Sequence, residues 1–150
     1  ILDKPYNFLT QPFAAKIVII LALLWRWTGY NMVFFLSGLQ NIEYSVYEAA
    51  KIDGASAIQT FFKITVPLLK PTILLTAIMS TNGTLQLFDE SINLTDGGPA
   101  NASISMSHYI YNLCFKYVPN FGYAAAMSFF ILLLVAVLAF IQMRVGDKRD

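Results

Sequence analysis

Apolar residues in this chain are concentrated in three long stretches, with patterned polar segments between them. The stretches extend from about Phe13 to Leu39, from about Val66 to Phe88 and from about Gly122 to Met143. A helix needs roughly 20 predominantly apolar residues to cross about 30 Å of hydrocarbon, and each stretch reaches that length. The pattern therefore predicts an all-α, polytopic membrane protein with about three transmembrane helices.

The second stretch differs from the other two because only its first half is strongly apolar. Its second half, from Ser80 to Phe88, contains hydroxyl and amide side chains. Pro67 and Pro71 lie near its beginning, where a helix tolerates proline best because the first backbone N–H groups have no intrahelical partner. The two prolines therefore predict the start of a helix in this region and not a break.

Composition agrees with a bilayer environment. Of the 150 residues, 57% are hydrophobic and 13% are charged, and the mean hydropathy is +0.58. These values are more apolar than those of ordinary globular proteins, so we expect contact with membrane lipid. The net charge of +1 offers no concentrated basic face, and nucleic-acid binding is not expected.

Side chains that commonly bind metals or perform catalysis are few. Cys114 is the only cysteine, so it can form neither an intrachain disulfide nor a thiolate cluster. His108 has no second ligand at metal spacing and is expected to be a packing or surface residue. Asp89 and Glu90 are adjacent, so their side chains diverge on a helix. We predict no catalytic residue, no metal site and no cofactor.

Lysine and arginine are distributed unequally between the two ends of the predicted spans. The basic residues between the first two stretches or after the third are Lys51, Lys63, Lys70, Arg144, Lys148 and Arg149. The segment between the second and third stretches has three acidic residues and one basic residue, Lys116. Lys4 and Lys16, near the N-terminus, weaken the contrast between the two sides slightly. The positive-inside rule then places Gln40–Thr65 and the C-terminus in the cytoplasm, with Ile1 outside.

The segment between the first two stretches has the pattern of two short helices. Ser45 and Glu48 have capping-box spacing, which predicts a helix from about Val46 to Ile52. Asp53-Gly54 predicts a turn, because glycine adopts backbone angles closed to other residues. A second helix is predicted from about Ala55 to Thr65, with Pro67 closing the segment.

The second of these helices is amphipathic. Ile58, Phe61, Phe62 and Thr65 fall on one side at helical spacing. On pattern alone, two interpretations are open. The segment either lies on the bilayer surface as a connector, or it presents its apolar side to another protein.

The residue identities in this segment favour the second interpretation. Glu48-Ala49-Ala50, followed at the family spacing by Gly54, Ile64 and Pro67, resembles the EAA motif of permease subunits of binding-protein-dependent ABC importers. The match extends to Asp53, and it departs at Val66, where leucine is more usual. Further similarity to the carbohydrate-uptake branch, of the maltose and glycerol-3-phosphate type, lies in Trp27–Tyr30, Phe88-Asp89 and Leu94–Pro99.

The resemblance implies a transport subunit. It identifies residues 1–150 as the C-terminal part of one permease transmembrane domain in a prokaryotic inner membrane, with a cytoplasmic EAA loop at about residues 43–67. The implied partners are ABC ATPase subunits, a second permease subunit in a heterodimer, an extracytoplasmic solute-binding protein and a sugar. The chain has no G-x-x-x-x-G-K-[ST] phosphate loop, so it is predicted not to be an enzyme. The ATPase-coupling residues implied are Glu48, Ala49, Ala50, Asp53, Gly54, Ile64 and Pro67.

The path of the solute is predicted from polar residues in the first two stretches. Thr72, Thr76, Ser80 and Thr84 recur at four-residue spacing, which places hydroxyl groups along one helix face. Such residues either hydrogen-bond a sugar or let helices pack closely in the bilayer, and packing is favoured for the first two. The substrate-pathway residues implied by the resemblance are Arg26, Trp27, Gly29, Tyr30, Ser80, Gly83 and Thr84.

Arg26 interrupts the first stretch, where a guanidinium costs about 2.5–3.5 kcal/mol on insertion scales. It is either a hydrogen-bond donor in the pathway or the partner of an acid such as Asp89 or Glu90. Neighbouring Asn31 is expected to be a helix-packing amide. The alternative function, an ATP-independent secondary transporter or channel, would use Arg26 and these two acids for ion coupling.

Overall fold

The computed structural model describes residues 8–146, and this part of the chain consists of helices and turns. Lys4, Lys148 and Arg149, which contribute to the predicted orientation, lie outside it. The helices, which follow a 3-10 turn at Phe8–Thr10, are α1 (Pro12–Gln40), α2 (Tyr44–Ile52), α3 (Ala57–Leu68), α4 (Lys70–Leu85), α5 (Met106–Tyr111) and α6 (Phe121–Gly146). Wide π-helical turns occupy Phe61–Thr65 within α3, Ser91–Thr95 after α4 and Asn112–Lys116 after α5.

Helix α4 lies between α1 and α6 and is antiparallel to both. Gly38 near the end of α1 packs against the beginning of α4, where a Cβ on this glycine would lie 2.9 Å from Thr72 Oγ1. Gly146 at the end of α6 lies against Leu74, also near the beginning of α4. The α2–α3 segment and the end of α6 therefore share one end of the bundle, and residues 86–120 follow the other end of α4, which lies near the middle of α1.

The first and third predicted spans are confirmed as helices. Pro12–Gln40 and Phe121–Gly146 are both long and apolar enough to cross a membrane. Only about a twentieth of the most apolar window in each is buried within the bundle. Their remaining apolar surface is therefore available to lipid or to further helices.

The helix expected over the second stretch, Val66–Phe88, has different ends in the structure. Helix α3 continues through Pro67 to Leu68, and α4 then departs at an angle of 65°. The bend is at Leu69 (φ −83°, ψ −2°), two residues before Pro71, which has no N–H to continue the helical hydrogen bonds. At the other end α4 stops at Leu85, after Asn82 and Gly83, whose helix propensities are low. Within residues 8–146 there is a third candidate span only if α3 and α4 are counted together.

The predicted capping box at Ser45 and Glu48 is also wrong. Helix α2 begins earlier, at Tyr44, and the Ser45 hydroxyl lies 3.2 Å from the Glu43 carboxylate. The capping box is instead at the start of α3, where Ser56 Oγ accepts from Gln59 N–H and Gln59 Oε1 accepts from Ser56 N–H. Helix α3 accordingly begins at Ala57 and not at Ala55.

His108 is a packing residue, as predicted, and it is completely buried. Ser91 Oγ accepts from Ser105 N–H and donates to the Ser103 carbonyl, so His108 Nδ1 is the donor in the 2.9 Å hydrogen bond to this oxygen. His108 Nε2 then faces Asp96 Oδ1 at 3.6 Å, and the same carboxylate oxygen accepts from Lys116 at 2.7 Å. The imidazole thereby joins α5 to the turn after α4.

This environment predicts that acid destabilises the segment. Burial lowers the pKa of His108 from its ordinary value of 6.5, Asp96 opposes the shift, and Lys116 adds to it. Between pH 6.5 and the lower folded pKa, the unfolded chain binds a proton that the folded chain does not, so stability falls as pH falls. The thermal midpoint of the purified transporter should drop from about pH 7.5 to about pH 5.5, and less so for His108→Gln. An equal drop in both proteins would contradict this assignment.

Candidate functional site

The predicted coupling residues lie in the segment 43–67, at the end of the bundle where α1 ends and α4 begins. Glu48 and Ala49 are exposed on α2, whereas Ala50 is buried at 6% exposure. Asp53 caps the C-terminus of α2 and is exposed. Helix α2 therefore has a buried side that packs against the rest of the protein and an exposed side that carries the carboxylates.

Gly54 ends α2 in a Schellman motif. Its φ is +73°, its N–H donates to the Lys51 carbonyl, and Ala55 N–H donates to the Ala50 carbonyl. A Cβ on Gly54 would have nothing within 4 Å, so the backbone conformation and not crowding requires glycine here. The predicted turn at Asp53-Gly54 is confirmed.

Helices α2 and α3 contact each other through Tyr47 and Thr65. Tyr47 Oη and Thr65 Oγ1 are 3.3 Å apart, and Thr65 is only 7% exposed. A shallow groove of about 420 Å³ separates the helices elsewhere, with Lys51 and Phe61 among its lining residues. Of the remaining predicted coupling residues, Ile64 is half-buried and Pro67 is exposed.

The apolar side of this segment is largely exposed. Ile58, Phe61 and Phe62 are 73%, 51% and 65% exposed, and the two phenylalanine rings meet edge to face. Thr65, predicted to share their side, instead faces Tyr47. The π-helical turn accounts for this difference, because it interrupts the 3.6-residue period on which the prediction rested.

The predicted pathway residues are brought together mainly at the interface between α1 and α4. Asn31 Nδ2 donates to Ser80 Oγ at 3.1 Å, or Ser80 donates to Asn31 Oδ1 at 3.2 Å, so Asn31 is the packing amide that was predicted. Tyr30 Oη lies 3.9 Å from Met79 Sδ. Ser80 is therefore engaged in helix packing.

Trp27 packs directly against Gly83 where α1 meets α4. The indole ring lies where a Cβ on Gly83 would be, so any larger residue would overlap it. Trp27 also meets Tyr30 edge to face, with ring centroids 5.4 Å apart. The indole Nε1 is buried and has no hydrogen-bond partner in residues 8–146. Absence of a side chain at Gly83 is thus a packing requirement.

Gly29 and Thr84 are separate from this contact. A Cβ on Gly29 would have nothing within 4 Å, and this part of α1 faces open space. Thr84 is exposed and lines a shallow cleft of about 380 Å³ together with Ser80 and Leu138. The seven predicted pathway residues therefore all lie on α1 or α4, but they do not line one cavity.

Arg26 is paired with Glu90. Arg26 Nη1 lies 2.7 Å from Glu90 Oε1, and the guanidinium also lies 5.4 Å from the Trp27 ring centroid. The glutamate side chain is 10% exposed, whereas the arginine side chain is 43% exposed. Of the two acids suggested as partners, Glu90 is the one that the structure selects, and Asp89 is exposed.

Sequence reasoning missed a larger cleft of about 520 Å³ between α4, α5 and α6. Its polar lining comes from Asn82, Gln86, Ser107 and Ser128, and the rest is aliphatic. The signals for it were the amides of Asn82 and Gln86, in the polar half of the second stretch, and the isolated serine in each of the last two helices. Within residues 8–146 no group of three or more His, Cys, Asp or Glu side chains could hold a metal ion.

Comparison with known proteins agrees with this architecture. Residues 6–149 match the family described as "Binding-protein-dependent transport system inner membrane component". The lactose transport system permease protein LacF of Rhizobium radiobacter is 55% identical over 99% of this chain and 51% of its own length. The trehalose/maltose transport system permease protein MalF of Thermococcus litoralis is 37% identical over 97% of this chain and 49% of its own length.

A solved structure shows the same fold. The crystal structure of a bacterial ABC transporter involved in import of the acidic polysaccharide alginate matches with a TM-score of 0.81 and 25% identity. The match covers 95% of this chain and 50% of that chain. The present chain thus spans about half the length of each of these three proteins. It belongs to the family of inner-membrane components of binding-protein-dependent transport systems.

Proposed function

We propose that this chain is the C-terminal part of the membrane-spanning permease subunit of an ABC importer for a sugar or oligosaccharide. Relatives named for lactose and for trehalose and maltose support the solute class. The proposed partners are ATPase subunits, a second permease subunit and an extracytoplasmic solute-binding protein. The permease transmits the work of ATP hydrolysis, and the ATPase subunits perform it.

The observation that carries this proposal is the form of the segment 43–67. It is a pair of short helices with a fixed bend at Gly54 and an apolar side that nothing in residues 8–146 covers. An amphipathic helix of this kind fits a groove on another protein, with exposed anchors such as Phe61 and Phe62. Because α3 continues into α4 across one bend, a displacement of the docked helices would pass to the span.

Orientation follows from the same proposal. The segment 43–67 and the end of α6 lie at one end of the bundle, and we place that end in the cytoplasm with the ATPases. The basic residues Lys51, Lys63 and Arg144 support this assignment through the positive-inside rule. The opposite end, where α1 and α6 begin, would then face the solute-binding protein.

The solute is proposed to pass along α1 and α4. Thr84 and Tyr30 are exposed residues that carry hydroxyl groups, and a Cβ on Gly29 would meet nothing within 4 Å. Ser80, Gly83 and Trp27 hold the two helices together and so give the path its wall. Movement of helix bundles around such a site is the general means of alternating access in transporters.

The test is reconstitution of the full-length permease with its partner subunits and binding protein in proteoliposomes. Lactose uptake should require hydrolysable ATP and should be insensitive to ionophores that dissipate ion gradients. Liposomes that contain the permease but no ATPase subunits are the control. Uptake that continues without ATP and follows an ion gradient would overturn the proposal in favour of a secondary transporter.

A further inference from the structure

Helix α4 ends level with the middle of α1. The two helices are antiparallel, with Gly38 opposite Thr72 and Trp27 opposite Gly83. Arg26 is at the midpoint of Pro12–Gln40, about 21 Å from either end at a rise of 1.5 Å per residue. Helix α4 has 16 residues and is about 24 Å long, which is shorter than the hydrocarbon core of a bilayer.

The chain after Leu85 is therefore irregular at a depth where α1 is still within the membrane. Gln86–Phe88 form no regular helix, and the chain turns there towards Glu90. Irregular backbone at membrane depth is tolerated only where it is buried in protein or lines a water-filled cavity. Short, glycine-interrupted spans with this geometry are the usual places for solute sites in transporters.

Two opposite charges meet at this level. Glu90 is nine-tenths buried and lies 2.7 Å from Arg26, and its second oxygen has no hydrogen-bond partner in residues 8–146. The arginine side chain is 43% exposed and only Nη1 is paired with Glu90 in this contact, so the guanidinium has further N–H donors to offer. The pair presents hydrogen-bond donors without a net charge.

From this arrangement we infer that Glu90 is a specificity-determining residue for the solute. It neutralises Arg26 in the pathway, so that the arginine can hydrogen-bond a neutral sugar but offers no unpaired charge to an acidic one. The inference rests on the proposed function and assigns its solute class as uncharged. Glu90 acts through Arg26, since its own carboxylate is buried.

The physical basis is the strength of charge-assisted hydrogen bonds. An arginine without a counter-ion binds a carboxylate through two parallel N–H···O bonds, which are stronger than bonds to hydroxyl groups. With Glu90 in place, a solute carboxylate would have to compete with one already positioned at 2.7 Å. Removal of the Glu90 charge alone should therefore admit anions.

The experiment measures inhibition of ATP-driven lactose uptake by two matched analogues in proteoliposomes with the complete transporter. Lactobionate carries a carboxylate, and lactitol has the same open-chain form without one. Because one binding-protein preparation serves every variant, a difference between variants reports on the permease. For Glu90→Gln, lactobionate should inhibit at about tenfold lower concentration than for the unmodified transporter, while inhibition by lactitol is unchanged.

Three variants serve as controls. Asp89→Asn removes the adjacent, exposed carboxylate and should leave both inhibition curves unchanged. Arg26→Gln combined with Glu90→Gln should abolish the gain, because no cation remains. Glu90→Asp keeps a buried carboxylate and hence the assembled fold, but it withdraws the charge from Arg26. It should give a smaller shift in the same direction.

The inference is overturned if neither Glu90 variant changes inhibition by lactobionate, or if Asp89→Asn changes it equally. It is also overturned if the double variant retains the gain. Should Glu90→Gln not assemble, an unchanged lactobionate curve for Glu90→Asp is sufficient to reject it. Failure of the proposed function would be seen differently, as the absence of ATP-driven lactose uptake in the unmodified transporter.

Discussion

Replacing Gly54 with valine is expected to reduce ATP-driven uptake about tenfold or more while leaving the permease in the membrane. Gly54 has a φ of +73° and closes the Schellman motif that sets the angle between α2 and α3. An L-residue in this left-handed conformation costs about 1–2 kcal/mol, and a β-branched one is a steric outlier there. Each 1.4 kcal/mol lowers the population of the competent conformation about tenfold.

A graded series separates backbone strain from the loss of a small surface residue. Asparagine tolerates the left-handed region, so Gly54→Asn should retain most activity, with Gly54→Ala intermediate and Gly54→Val lowest. Gly122→Val is the matched control, because Gly122 has an ordinary φ and the nearest atom to an added Cβ is 4.0 Å away. A Cβ on Gly54 would meet nothing within 4 Å, so crowding of that atom does not explain a loss for Gly54→Ala.

The measurement is lactose uptake beside solute-stimulated ATP hydrolysis in proteoliposomes. Uptake should fall along the series, and hydrolysis should lose its dependence on solute, because the docked helices no longer pass movement to α4. Equal uptake for Gly54→Val and the unmodified permease would reject the role assigned to this bend. Equal loss for the asparagine and valine variants would show that something other than backbone angle is required.

Sequence pattern alone was sufficient for α1, α6 and the bend at Gly54. A long apolar run in a bilayer forms a transmembrane helix, and an Asp-Gly step after a short helix is compatible with few backbone conformations. Which serine acts as a helix N-cap was not predictable in the same way. Ser45 and Ser56 each precede a glutamate or glutamine by three residues, so both satisfy the capping pattern. The structure uses the pattern only at Ser56, because α2 begins at Tyr44 with Glu43 as its N-cap and Ser45 lies inside that helix.

The candidate pathway was predictable in part for a similar reason. Spacing of four residues shows that Thr72, Ser80 and Thr84 share a side of α4, but it does not identify what lies against that side. In the structure α1 covers the first two and leaves Thr84 exposed. The early end of α4 and the pairing of Arg26 with Glu90 depend on contacts between distant parts of the chain, which local patterns do not contain.

Gly83→Ala is expected to destabilise the permease by about 1–3 kcal/mol, although alanine is the better helix former. The added methyl group would occupy the position of the Trp27 ring, so α1 and α4 must separate or the indole must leave its rotamer. Gly29→Ala is the matched control, since it lies in a helix and an added Cβ there meets nothing within 4 Å. That variant should be neutral or slightly stabilising, because only the helix propensity changes.

A second substitution tests whether the overlap with Trp27 is the cause. The atoms that a Cβ on Gly83 would meet belong to the benzo ring of the Trp27 indole. Phenylalanine at this position has a smaller side chain that reaches less far. The indole N–H has no partner in residues 8–146, so phenylalanine removes no hydrogen bond described there. The double variant Gly83→Ala, Trp27→Phe should therefore recover much of the thermal midpoint and of the lactose uptake lost by Gly83→Ala alone.

A midpoint for Gly83→Ala as high as that for Gly29→Ala, or a double variant no more stable than the single one, would mean that this contact does not hold α1 against α4. If stability recovered but uptake did not, the indole of Trp27 itself would be assigned to the solute path. In that variant the packing of α1 on α4 would be intact, and only the indole would be missing.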